Sequence, residues 1–106
     1  MLDIELLYFA ACPNYKLAHE MLKQILDAEG ISAEIRLVAV ETDEEAVRHR
    51  FYGSPTVRIN GDDVVPPVSG STPALACRVY QYPQGGFAPV PPARVILEAL
   101  RRATAR

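Results

Sequence analysis

The opening of this chain constrains its fold more than any other feature. Asp3 to Phe9 alternates at first and then turns continuously apolar through Leu6, Leu7, Tyr8 and Phe9. That pattern predicts a strand that becomes buried towards its end. Pro13 follows, with the fixed φ and missing N–H that suit the first position of a helix. Ala18, Met21, Leu22, Ile25 and Leu26 then recur at helical spacing, with Lys16, Glu20, Lys23 and Asp27 on the other face. Gly30 supplies a stop. Ala33 to Val40 alternates and then runs apolar, which predicts a second strand. Strand, helix and strand in this order form a βαβ unit, with parallel strands and a right-handed crossover.

The remaining signals extend that unit. Thr42-Asp43-Glu44-Glu45 has the Thr-x-x-Glu form of a capping box, so a short helix is expected through about His49 or Arg50. Thr56 to Ile59 reads as a strand, Asn60-Gly61 as a two-residue hairpin turn, and Asp62 to Val65 as the fourth strand. Pro91-Pro92 opens a last helix carrying Ile96, Leu97, Leu100 and Ala103, with Arg101, Arg102 and Arg106 at its cation-favouring end. Seven of the nine prolines lie between Val65 and Ala93, with Gly70, Gly85 and Gly86. The apolar patch Ala74 to Tyr80 within this stretch argues for a long ordered loop rather than a linker.

With 106 residues, the chain fits one domain. Its net charge of −2 argues against nucleic acid or an anionic membrane surface as a partner. No run approaches the roughly 18 apolar residues that span a bilayer. The first residues lack the basic region of a signal peptide, so the cytoplasm is the expected compartment. There, a stable structural disulfide is not expected, whereas a reactive thiol is.

Only two cysteines are present. Cys12 ends a buried strand immediately before a helix, where N–H groups and the helix dipole favour a thiolate. The junction is expected to face out of the sheet edge, which favours a reactive thiol over a small buried apolar one.

The order β-α-β-α-β-β-α, with Cys12 opening the first helix and Gly53-Ser54-Pro55-Thr56 opening the third strand, resembles the thioredoxin/glutaredoxin fold. More closely, the chain resembles small bacterial thioredoxin-like proteins that begin Leu-Tyr-Phe-x-x-Cys-Pro-Asn (here Leu7 to Asn14). These also carry Gly-Ser-Pro-Thr (Gly53 to Thr56) and Cys-Arg-Val-Tyr (Cys77 to Tyr80). Such proteins often bear labels such as thioredoxin family or alkylmercury lyase. The resemblance implies an α/β, four-stranded mixed sheet of order 2-1-3-4 with helices on both faces. It also implies a cis Pro55 beside the active cysteine, with Ser54 before it; Pro13, Tyr15 and Thr56 are further candidates for the substrate site, Tyr15 either placing its hydroxyl near Cys12 or only packing on the loop.

The departures matter as much. The chain has Cys12-Pro13-Asn14-Tyr15 in place of Cys-x-x-Cys, so Tyr15 stands where a local resolving thiol belongs. Leu6 replaces the buried acid of thioredoxins. In the 2-1-3-4 sheet the loop after Val65 starts on the side of Cys12, so Cys77 can take the resolving role; equally, Cys77 can pack with Leu75, Val79 and Tyr80. Asp62 and Asp63, after the hairpin turn, are expected at the opposite end. His19 and His49 are read as surface residues, Asp43 and Glu44 as capping residues, and zinc-ligand spacing is lacking.

The leading expectation is therefore a thiol–disulfide oxidoreductase. Cys12 is its nucleophile, Cys77 its remote resolving thiol, and a protein or small-molecule thiol or disulfide its substrate. It has no cofactor or resident metal and is a monomer or weak homodimer. Two other readings stay open: a two-thiolate binder of a soft ion (Hg, Cu or Zn) or a mercury-related protein, and a non-catalytic binding module of the same fold.

Overall fold

The computed structural model describes residues 2–105. The sheet has four strands in the order β2-β1-β3-β4. β1 (Ile4–Tyr8) pairs in parallel with β2 (Ile35–Ala39) and antiparallel with β3 (Thr56–Ile59). β3 turns at Asn60-Gly61, both at positive φ, into the two-residue β4 (Asp62–Asp63). The architecture is α/β, with a mixed sheet and three helices: α1 (Tyr15–Ala28), α2 (Asp43–His49) and α3 (Ala93–Thr104).

Strand periodicity divides the core between the two faces. Ile4 and Leu6 of β1, with Val57 and Ile59, pack against Ala18, Leu22 and Leu26 of α1 and against Ile96 and Leu100 of α3. Leu7 joins the other cluster with Val40, Ala46 of α2 and Phe51. Helices thus cover both faces, as expected. β2 is an edge strand, and Leu37 is left exposed on it.

The helix ends follow local chemistry. Gly30, at φ +67°, closes α1. Its N–H donates to Asp27, and that of Ile31 to Leu26, which satisfies two terminal carbonyls. At α2, Thr42 Oγ1 accepts from the Glu45 N–H, and the Glu45 carboxylate accepts from the Glu41 N–H. The capping box therefore forms with its return bond shifted by one residue. Two boundaries differ notably from expectation. α1 begins at Tyr15 rather than Pro13, because the Pro13 carbonyl is taken by the Lys16 N–H in a tight first turn. The fourth strand stops at Asp63, where the Asp63 carboxylate accepts from the Val65 N–H and turns the chain away. Arg106, expected at the end of α3, lies outside the described residues.

The proline-rich stretch contains structure that the sequence signals missed. Tyr80–Gln81 (β5) and Phe87–Ala88 (β6) form a small antiparallel hairpin. Gly85 and Gly86 sit in its turn, both at positive φ.

Candidate functional site

The site lies where β1 ends and α1 begins. Phe9 to Cys12 make a tight turn, with the Cys12 N–H donating to the Phe9 carbonyl at 2.9 Å. Cys12 is joined to Cys77 in a disulfide that spans 65 residues, with the Cα atoms 5.7 Å apart. The remote cysteine thus meets the junction cysteine.

Three backbone hydrogen bonds bring Cys77 there. The Ala74 N–H donates to the Phe51 carbonyl, the Ser54 N–H to the Ala76 carbonyl and the Arg78 N–H to the Ser54 carbonyl. Residues 74–78 therefore run beside residues 51–54 like a short parallel strand, with Ser54 and Cys77 as bridge partners. Leu75 packs onto the Leu7–Phe51 cluster. The Ser54–Pro55 peptide is cis. The buried Tyr80 hydroxyl donates to the Pro55 carbonyl. Thr56 Oγ1 donates to the Gly53 carbonyl at 2.7 Å and accepts from Arg78 at 3.2 Å.

The folding-back of this segment overturns one expectation. Cys12 does not face outward: it is 1% exposed, whereas Cys77 is exposed. Asn14 Nδ2 lies 3.6 Å from the Cys12 sulfur. Asn14 stands at the N-cap of α1, yet its side chain makes no capping bond. The Ser54 carbonyl oxygen lies 3.7 Å from the same sulfur. Pro13 is exposed on the turn. Tyr15 stacks its ring on Tyr8, with centroids 4.2 Å apart, so it serves as packing at the mouth of α1.

Arg78, like Asn14, is a residue whose role sequence reasoning missed. Its guanidinium donates to Asp63 at 2.8 Å and to the Val65 carbonyl at 2.6 Å. It also lies 4.7 Å from the Tyr80 ring centre. The Arg78 and Asp63 side chains are only 10% and 13% exposed, so this pair is largely desolvated. Asp63 was expected to be remote; instead it steadies the neighbour of Cys77, because Arg78 extends back from the loop to reach it. A sequence signal existed in the Cys77-Arg78 adjacency, but nothing linked Arg78 to Asp63 before the loop path was known.

Chemically, the site offers one disulfide and, on reduction, two adjacent thiols. Among the described residues no group of three or more His, Cys, Asp or Glu side chains is placed to hold a metal ion. A soft ion would therefore have the two sulfurs alone. No helix among the described residues is long and apolar enough to cross a membrane. No family model, curated protein or solved structure matches the chain. The functional reading accordingly rests on the site itself.

Burial raises the Tyr80 phenol well above its ordinary pKa, while the Arg78 charge opposes that shift. Folding therefore favours the neutral phenol. This contribution is fully present below the unfolded value of about pH 10 and is lost as pH rises through the folded value. Urea unfolding of the native chain and of Tyr80→Phe, compared from about pH 9 to about pH 11, should show a steeper loss in the native chain. Parallel curves would mean that Tyr80 ionises freely in the folded protein.

Proposed function

We propose that the chain is a thiol–disulfide oxidoreductase of thioredoxin/glutaredoxin fold whose redox pair is Cys12 and Cys77. One observation carries this reading: a disulfide joins an exposed loop cysteine to a cysteine at a strand–helix junction beside a cis-proline turn. The sheet order and the positions of Cys12 and Pro55 support the fold assignment. In the expected cytoplasmic setting, a disulfide is more often catalytic or redox-sensing than structural. The helix start and the Asn14 amide supply the electropositive surroundings that make a thiol a good leaving or attacking group.

The test is equilibration of the protein in graded mixtures of a small thiol and its disulfide. One reversible two-electron transition is expected while the far-ultraviolet circular dichroism stays native. The reduced protein should also accelerate reduction of a small disulfide, and the Cys12→Ser/Cys77→Ser double variant should not. A disulfide that yields only when the chain unfolds would instead mark a structural cross-link on a non-catalytic binding module.

A further inference from the structure

The two sulfurs differ most in access. Thiolate attack on a disulfide proceeds in line, from the side opposite the leaving sulfur. At Cys12, that side is closed: the residue is 1% exposed, with the Ser54 carbonyl oxygen and the Asn14 amide against its sulfur. Cys77 is exposed. Access decides which sulfur of a disulfide is attacked.

We propose that Cys77, not Cys12, exchanges with external thiols, and that the thiols served are small molecules rather than extended polypeptides. The proposal rests on the redox reading above and assigns its order of events. It also reverses the roles expected of the two cysteines.

In the reducing half-reaction, a small thiolate RS⁻ attacks Cys77 Sγ. The R–S–Cys77 bond forms and the Cys77–Cys12 bond breaks, which leaves a Cys12 thiolate. A second small thiolate then attacks the mixed disulfide, and RSSR departs as Cys77 leaves as thiolate. The protein gains two electrons and the two small thiols lose them; water supplies the protons for whichever protein thiolates become protonated. The reverse direction runs through the same mixed disulfide, with Cys12 displacing RS⁻ from Cys77. Asn14 Nδ2 is placed to donate to the departing Cys12 thiolate, and the Ser54 carbonyl to accept from the protonated thiol.

The size restriction comes from Ser54. An extended peptide gains affinity by adding as a strand to free backbone N–H and C=O groups. Here the Ser54 N–H and C=O are both engaged, with the Ala76 carbonyl at 2.7 Å and the Arg78 N–H at 2.8 Å. That segment is held in turn by Arg78 through Asp63, Thr56 and the Val65 carbonyl. The chain's own loop thus fills the backbone edge beside the disulfide, at Ser54, where a polypeptide substrate would have to align to reach Cys77. A small thiol needs no such edge.

The test mixes the oxidised protein with 2-mercaptoethanol or with a short extended cysteinyl peptide, followed by acid quench and peptide mapping. The trapped adduct is expected on Cys77 over Cys12 by at least about tenfold. In oxidised small-disulfide buffer, Cys12→Ser should accumulate the Cys77 adduct. Corrected for thiolate fraction, the peptide should react no faster than the small thiol, within about threefold. An adduct chiefly on Cys12 would overturn the assignment of the exchanging sulfur. A peptide advantage of about tenfold or more would overturn the substrate class. Failure of both thiols to reduce the Cys12–Cys77 disulfide while the wild-type fold is intact would remove the redox reading itself, and this proposal with it.

Discussion

Reduction of the Cys12–Cys77 disulfide is expected to lower the unfolding free energy by about 4 kcal/mol. The cross-link closes a loop of 65 residues, and in the chain-entropy account its main effect is to restrict the unfolded chain. The folded state loses little by comparison, because the Ala74–Phe51 and Ser54–Arg78 backbone bonds and the Arg78–Asp63 pair hold the segment independently of the sulfurs. For a domain of this size the loss corresponds to a fall in Tm of roughly 20 °C. Calorimetry with and without a non-thiol reductant measures it. A thermodynamic cycle gives the same quantity a redox meaning: the disulfide in the folded protein should be about a thousandfold harder to reduce than in the unfolded chain. Equilibration against a thiol buffer in water and in urea supplies that second measurement. A Tm shift of only a few degrees would mean that the reduced unfolded chain already keeps residues near 12 and 77 together.

The parts of the molecule that were legible in the sequence are those governed by short-range rules. Apolar alternation places Ile4 and Leu6 on one face of β1 and Leu7 on the other, and the structure splits its core accordingly. Gly30, Thr42 and Asn60-Gly61 act as stops, cap and turn because each works through its own backbone neighbours. The cis peptide at Pro55 followed from element order and resemblance. What was not legible depends on the path of the 66–92 segment. Its prolines announce a loop but not a direction. The direction is set by long-range contacts: Leu75 on the second core cluster, Tyr80 under Pro55 and Arg78 reaching Asp63. Those contacts bury Cys12 and leave Cys77 exposed, the reverse of what the local reading of the strand–helix junction implies. Asn14 was hidden for a related reason. The expected helix start at Pro13 places it inside the first turn, and only the geometry shows it at the N-cap with its amide turned to the Cys12 sulfur instead of the backbone.

Gly53→Ala should reveal how tightly that segment is held. Gly53 sits at φ +136°, a conformation reserved almost wholly for glycine. A Cβ there would lie 2.8 Å from Arg78 Cβ, 3.1 Å from its Cα and 3.2 Å from its N. None of these is the far end of a flexible side chain, and Arg78 is fixed at its backbone by Ser54 and at its guanidinium by Asp63. Backbone strain and overpacking each cost about 1–3 kcal/mol, so a combined loss of about 3 kcal/mol or more is expected in urea unfolding. Gly61→Ala is the matching control: its φ is +87°, but nothing lies within 4 Å of the added Cβ, so it carries strain without crowding. The difference between the two variants isolates the contact with the Cys77 segment. Crowding pushes Arg78 away from Ser54, and the disulfide resists that displacement, so part of the cost is relieved on reduction. Gly53→Ala should therefore be more easily reduced than the wild type in a thiol buffer, whereas Gly61→Ala should match it. Equal stability of the two variants would mean that residues 74–78 give way freely beside Gly53, and the loop would then lack the rigidity that keeps extended peptides from Ser54.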